Sequence, residues 1–207
     1  MKKRKIVKIL TYVTAAAVMC TALVYYNFID KAVPSVEVGS KCPDFAVSVF
    51  DREGDGFVER KETVSLSDYK GKIVVVNFWS TTCGSCMLEM PHFDEFQKDY
   101  IDDVVILALD GEKGRSYEWI LKWMNTRKTT NGMLDTFGRV EEIARWETFD
   151  ITFGWYDMEN NDVGAKLGFP YNWPSTAIVD REGVIQYKHQ GAMTYEDLEN
   201  VIKPLLE

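Results

Sequence analysis

The chain has 207 residues, enough for one ordinary domain and an appendage. Its apolar, charged and aromatic fractions are those of a globular protein, which excludes a disordered or collagen-like chain. The formal net charge is −8, and no basic stripe stands out along the sequence. Because nucleic-acid binding depends on clustered lysine and arginine, we expect no nucleic-acid partner.

The N-terminus differs from this acidic balance. Residues 1–8 read MKKRKIVK, and residues 9–29 form an uncharged apolar run of 21 residues. Such a run is long enough for one transmembrane helix, and the basic segment before it should stay in the cytoplasm. We therefore predict a single membrane anchor at 9–29 and place everything after Asp30 outside the cytoplasm. A cleaved signal peptide is the alternative, with a weak cleavage pattern at 20–22.

The next segment, residues 30–40, contains Pro34 and Gly39 and is typical of a linker before a folded domain at 41–207. Alternating or continuous apolar patterns in that domain predict seven strands. In chain order the strands cover 45–50, 62–66, 73–79, 104–110, 151–157, 175–179 and 184–188. The Asp/Gly-rich segment 51–56 should turn the chain between the first two strands, which gives an N-terminal β-hairpin.

Helical spacing of apolar residues predicts the remaining elements. Helices are expected at 85–100, 116–125, 139–146 and 161–168, with a last helix from Thr194. Pro91 lies inside the first helix and should kink it, and Thr194 with Asp197 forms a capping-box pattern. Strands that alternate with helices predict an α/β fold with a central mixed sheet flanked by helices. The Trp-rich stretch 111–150 is a longer variable region with the least regular pattern.

Two cysteines three residues apart, Cys83 and Cys86, follow a buried-type strand. A C-x-x-C pair can be half of a zinc site, a structural disulfide or a redox pair. Zinc needs four ligands, but Cys42 stands alone, and His92 and His189 are not spaced as a ligand pair. A static disulfide that closes so short a loop would stabilise little. The position between a strand and a helix favours redox chemistry.

The N-terminus of a helix stabilises a thiolate, because its unpaired N–H groups and its dipole favour negative charge. Cys83 is therefore predicted to be the nucleophile that attacks a substrate disulfide, and Cys86 to resolve the mixed disulfide. Glu89, three residues further, falls on the same helical face among apolar neighbours. Burial would raise the pKa of its carboxyl and let it exchange a proton with the cysteines near neutral pH.

These residues resemble a known family. The segment WSTTCGSC at 79–86, followed by EMP at 89–91, looks like the thioredoxin-like thiol-disulfide oxidoreductases of the TlpA/ResA type. The resemblance extends to CPDF at 42–45, SDYKGK at 67–72 and WPST at 173–176. It implies a thioredoxin-like fold, a membrane anchor and a catalytic domain outside the cytoplasm, on the envelope side of a bacterial membrane.

The resemblance also implies roles for single residues. Pro174 should be cis and pack against the disulfide, the backbone of Trp173 should pair with a bound substrate strand, and Glu89 should act with the cysteines. No cofactor beyond the redox-active disulfide is expected. The candidate catalytic residues are Cys83, Cys86, Glu89 and Pro174. The candidate substrate-binding residues are Trp79, Thr82, Gly84, Ser85 and Trp173.

Two positions depart from the pattern of the family, since Ser85 stands where many relatives have proline and Thr82 where tryptophan is common. Residues around the cysteines tune thiolate stability, so the redox potential does not follow from the resemblance. We predict that the protein reduces disulfides of exported proteins and receives electrons from a membrane donor of thiol type. Cytochrome c maturation is one client pathway that the family implies. Oxidation of clients would use the same residues.

Three other hypotheses stay open. A peroxiredoxin-type peroxidase shares the fold, although the proline that usually precedes its cysteine is missing here. A copper-binding protein of the Sco type would need C-x-x-x-C spacing and a suitably placed histidine. A calcium loop fits Asp51, Glu53, Asp55 and Glu62, except for the glutamate at its third position, but predicted strands rather than helices flank it.

Overall fold

The computed structural model describes residues 36–54, 56–126, 149–169 and 172–207, together with Thr14 and residues 19–21. The chain divides into two units, Met1–Pro34 and Ser35–Glu207. The described residues of the first unit are helical. None of the helices in the described ranges combines the length and the apolar character needed to cross a membrane. Almost all of the anchor predicted at 9–29 lies outside those ranges.

The second unit is built on one seven-stranded sheet with the order β2-β1-β5-β4-β3-β6-β7. The strands are β1 Ala46–Glu53, β2 Gly56–Ser65, β3 Ile73–Trp79, β4 Val104–Asp110, β5 Thr152–Trp155, β6 Ser175–Val179 and β7 Ile185–Gln190. The helices are α1 Gly84–Asp99, α2 Tyr117–Thr126, α3 Val163–Lys166 and α4 Tyr195–Leu206, and a 3₁₀ turn covers Leu66–Tyr69. Strands β3, β4 and β5 are parallel, and the other pairs are antiparallel, which confirms the predicted mixed sheet.

Strand β3 is central because every residue of IVVVNFW is buried. It lies between β4, its parallel partner, and β6, its antiparallel partner. Buried side chains of α1, α2 and α4 form one core cluster with one face of the sheet. Buried side chains of α3 and the 3₁₀ turn form a second cluster on the other face. The sheet is therefore covered on both sides, and the end of β3 leads directly into α1.

The N-terminal hairpin is tighter than the sequence predicts. We expected a turn over 51–56, but the strands continue to Glu53 and from Gly56, and these two residues are paired. Gly54 adopts a positive φ of 61°, which glycine tolerates at no steric cost. Phe57 holds the longer strand in place, because its ring packs edge-on against Phe153 of β5 with 5.8 Å between ring centroids.

The folded unit also begins earlier than predicted. Residues 36–40, assigned to a linker by their composition, run beside the start of β7. The Gly39 N–H donates to the Ile185 carbonyl (2.7 Å), and the Ile185 N–H donates to the Ser40 carbonyl (2.9 Å). These bonds satisfy backbone groups that would otherwise be left on a sheet edge, so the segment is ordered without an apolar pattern.

The variable region 111–150 is described in part. Helix α2 confirms the helix expected at 116–125, and Tyr117, Ile120 and Met124 are its buried face. The short helix expected at 139–146 lies outside the described residues. Strand β5 is shorter than the strand expected at 151–157.

Asn125 of α2 is expected to contribute measurably to stability. Its side-chain amide donates to the Phe57 carbonyl and accepts from the Phe57 N–H, both at 2.8 Å. Asn125→Ala should lower the free energy of unfolding by about 2 kcal/mol, because two partly buried backbone groups lose their partners. Urea denaturation would measure this change. Thr126→Ala is the matched control, because the hydroxyl that it removes donates to the Lys122 carbonyl within the same helix. Equal effects of the two changes would contradict the prediction.

Candidate active site

The cysteine pair lies where β3 passes into α1. Cys83 is the residue that caps the N-terminus of α1, and its Sγ accepts the Cys86 N–H at 3.2 Å. The two cysteines form a disulfide with an S–S distance of 1.98 Å and a Cα–Cα distance of 5.3 Å. Cys83 is half-buried, whereas Cys86 is 0% exposed. An incoming thiol can therefore reach Cys83 but not Cys86.

The residues around Cys83 form the surface that a substrate would meet. Thr82 and Ser85 are exposed, and Gly84 is half-buried. The Ser85 hydroxyl lies 3.6 Å from Cys83 Sγ and can donate to a thiolate there. These positions agree with a substrate-binding role, which stays a prediction.

Trp79 is a core residue. We expected this ring to contact substrate, but it is 0% exposed. It packs in the core against Trp123 and Phe153, with ring centroids 6.0 and 5.9 Å away. Trp79 is the last residue of β3, and its side chain points to the face covered by α1. The ring therefore packs beneath the cysteine motif and has no surface that a substrate could contact.

Glu89 lies one turn beyond Cys86 on α1 and is 1% exposed. The Asn77 amide donates to its Oε1 at 2.9 Å, and the Met193 N–H donates to its Oε2 at 3.0 Å. Burial raises the pKa of this carboxyl to about 8, and the two hydrogen bonds oppose that rise. The group can therefore change its protonation state near neutral pH, as an exchange partner for a thiol must.

The sequence did not predict the partners of Glu89. Asn77 is the single polar residue in β3, and it is fully buried beside Thr176 of β6. A polar residue inside an otherwise apolar strand is a signal that could have been read, because a buried amide needs partners. Met193 contributes only a backbone N–H, for which the sequence offers no signal.

A second buried carboxyl, Asp110, ends strand β4 in register with Trp79. Its Oδ1 accepts the Glu112 N–H at 3.0 Å, and burial raises its pKa to about 7. The Thr81 hydroxyl donates to Glu112 Oε2 at 2.7 Å. The segment after β4 thus holds the loop that precedes Cys83. The sequence did not single out any of these residues.

The segment before β6 contains the cis peptide bond implied by the resemblance, between Trp173 and Pro174. Pro174 is buried, and its carbonyl accepts the Gly191 N–H at 2.9 Å. Trp173 is half-buried. The pairing of its backbone with a substrate strand stays a prediction.

The candidate calcium ligands that the structure describes lie on the two strands of the N-terminal hairpin. Asp51 and Glu53 lie on β1 and Glu62 lies on β2, while Asp55 falls outside the described residues. Across the parts of the chain that the structure describes, no group of three or more His, Cys, Asp or Glu side chains could hold a metal ion.

The geometry agrees with what the comparisons with known proteins show. The family model for redoxin matches residues 37–202, which is most of the chain. The chain belongs to the redoxin family. Its relatives in this family include thiol-disulfide oxidoreductases called ResA. The chain is therefore a disulfide oxidoreductase of the TlpA/ResA type.

Two relatives illustrate the similarity. The thiol-disulfide oxidoreductase ResA of Geobacillus kaustophilus is 31% identical over 185 residues, which cover 88% of this redoxin and 85% of that protein. The thioredoxin-like protein YneN of Bacillus subtilis is 28% identical over 174 residues, which cover 84% of each chain.

Solved structures share the fold. The exposed lipoprotein thioredoxin of Streptococcus pneumoniae matches with a TM-score of 0.55 at 25% identity, over 79% of this chain and all of that one. The thioredoxin domain of a thiol-disulfide oxidoreductase from Bacteroides vulgatus matches with a TM-score of 0.57 at 21% identity, over 84% of this chain and all of that one. The predicted thioredoxin-like fold is therefore confirmed.

Proposed function

We propose that this redoxin reduces disulfides of exported proteins outside the cytoplasm by dithiol-disulfide exchange through Cys83 and Cys86. The observation that carries the proposal is the asymmetry of the pair. One sulfur is accessible at a helix N-terminus, and the other is buried one turn before a buried carboxyl. A purely structural disulfide needs neither the accessible sulfur nor the carboxyl.

The exchange proceeds in two steps that balance. In the reduced protein, the Cys83 thiolate attacks one sulfur of a client disulfide, and the other client sulfur leaves as a thiolate that takes up a proton. The Cys86 thiol then loses its proton to Glu89 and attacks Cys83 Sγ, which releases the second client sulfur. The client gains two electrons, and the Cys83–Cys86 disulfide forms. A dithiol donor must then reduce that disulfide.

The sequence and the relatives support a location and a set of partners for this proposal. The uncharged run at 9–29 supports an anchor in the membrane, which would hold the domain on the outer side, near a membrane donor of thiol type. The structurally similar protein of Streptococcus pneumoniae is an exposed lipoprotein thioredoxin, which supports this location. We propose protein disulfides as the substrates, with cytochromes c in maturation, whose haem-binding cysteines must be reduced, as one client class.

The direction of electron flow is testable by a redox titration of the purified domain against glutathione or a stronger thiol buffer. We expect a midpoint potential well below that of strong oxidants, which lie near about −120 mV. Tryptophan fluorescence and thiol alkylation would follow the transition. A Cys42→Ser variant is the control, since it leaves only the active pair. A midpoint near the oxidant value would show that the protein oxidises clients and would overturn the proposed direction.

A further inference from the structure

Asn77 is a buried polar residue beside Glu89 to which the exchange reaction assigns no role. Its side-chain Nδ2 donates to Glu89 Oε1 at 2.9 Å and to Thr176 Oγ1 at 3.2 Å. Its Oδ1 is buried and finds no hydrogen-bond partner among the described residues. The Nδ2 group thus donates two hydrogen bonds, whereas Oδ1 accepts none from the described residues.

This arrangement fits only one protonation state of Glu89. An ionised carboxylate accepts hydrogen bonds on both oxygens, whereas a protonated carboxyl carries a donor on one of them. Oε2 faces the Met193 N–H, a backbone donor that cannot become an acceptor. A proton that points along either hydrogen bond meets a donor, and only the Asn77 amide can offer an acceptor in its place, so Oε1 is the oxygen at which the site can accommodate the proton.

A rotation of the Asn77 amide by half a turn resolves that conflict. It brings the idle Oδ1 to the position of Nδ2, where it can accept the proton on Glu89 Oε1. The Thr176 hydroxyl serves both orientations, because a hydroxyl can accept from Nδ2 or donate to Oδ1. Both arrangements form two hydrogen bonds to Glu89 and Thr176, but the rotated one places the two Nδ2 donors where Oδ1 has no partner among the described residues, so the proton on Oε1 is what favours it.

We propose that Asn77 is the positioning residue for Glu89, and that its amide adopts two orientations that alternate with the gain and loss of the proton on Oε1. The inference rests on the proposed function in that the exchange step gives Glu89 a proton to take and release. It extends that function by linking the state of the carboxyl on α1 to β6, since Thr176 lies two residues after Pro174.

The ionisable groups nearest in sequence to the carboxyl and to its partner Met193 belong to α1 and α4. On α1 its neighbours at three residues are Cys86 and His92, and from the start of α4 the nearest charged side chain in sequence to Met193 is Glu196, followed by Asp197. Hydrogen bonds from Thr194, and after them the charges of His189 and His92, lower the pKa of Asp197. Burial and the two amide donors are the causes that act on the protonation of Glu89.

Carbon and nitrogen NMR of the full folded domain tests the proposal directly. The Glu89 carboxyl carbon and the Asn77 side-chain amide would be followed between about pH 5 and pH 10. We expect both signals to titrate with one midpoint in the wild-type protein, a measurement that needs no variant. In Glu89→Gln the amide signal should no longer titrate.

Variants then separate positioning from folding. Asn77→Leu keeps the volume but removes the donor, so the carboxyl midpoint should rise by about one to two pH units, the size expected of one hydrogen bond to a charged group. Thr176→Val, the matched control, removes the other acceptor of the same amide and should move the midpoint less. An amide signal that stays constant while Glu89 titrates, or an unchanged midpoint in a folded Asn77→Leu protein, would overturn the proposal. A protein that shows the coupled titration but reduces no disulfide would instead count against the proposed function.

Discussion

Cys83→Ser is expected to abolish disulfide reduction, the largest effect we predict for a single substitution. Cys83 is the only sulfur of the pair that reaches solvent, and Cys86 beneath it is fully buried. A serine hydroxyl at a helix N-terminus cannot replace a thiolate as nucleophile, because it keeps its proton at neutral pH. Insulin reduction by the domain, driven by a dithiol donor, would measure the loss.

Cys86→Ser should have the opposite signature, since attack proceeds but resolution does not. Mixed disulfides between Cys83 and its clients should accumulate and appear on non-reducing gels of cells that produce the protein. Cys83→Ser/Cys86→Ser is the matched control and should trap nothing. If clients were trapped equally well by the double variant, or by Cys42, the assignment of Cys83 as the nucleophile would be wrong.

Glu89→Gln is expected to slow the resolution step by roughly 10²-fold at neutral pH, the usual contribution of one general base. The change keeps the size and the hydrogen bond from Asn77 but removes the group that takes the Cys86 proton. The pKa of Glu89 is about 8, so the wild-type rate should rise with pH until the carboxyl is ionised. The variant should lack this rise. Stopped-flow measurement of disulfide formation within the mixed complex would report both effects.

Glu89 is also expected to make the free energy of unfolding depend on pH. Folding raises the pKa of the carboxyl from its ordinary value of 4.5 to about 8, so the folded state binds the proton more tightly than the unfolded chain. The free energy of unfolding should therefore fall as pH rises from about 4.5 to about 8. Glu89→Gln should flatten this slope. Glu95→Gln, an exposed position on the same helix, should leave it unchanged. Equal slopes in all three proteins would contradict the burial of an ionisable Glu89.

The elements near the motif follow from local pattern. The apolar run of β3, the spacing of α1 and the capping pair Thr194 and Asp197 each appear where the sequence places them. Their signals are short-range, because side-chain period and caps depend on residues within one or two turns. The boundaries that were wrong, at the hairpin turn and at residues 36–40, depend on pairing with strands distant in the chain.

Residues far apart in sequence make up the rest of the site. Glu89 meets Asn77 across 12 residues and Met193 across 104, and Asn77 meets Thr176 across 99. Sheet register brings Asp110 beside Trp79. Local spacing in the sequence does not predict such contacts, because they result from the order of strands in the sheet and from the position of α1 over it.

The sequence by itself therefore determined the cysteine pair, its place at a strand-to-helix junction and the alignment of Glu89 with Cys86, because a helix repeats every 3.6 residues. Only the tertiary structure decided that Trp79 is a core residue and that Glu89 is held between an amide and a backbone N–H. Burial and hydrogen-bond partners are properties of packed elements. They therefore set the chemistry of a motif whose residues the sequence already placed side by side.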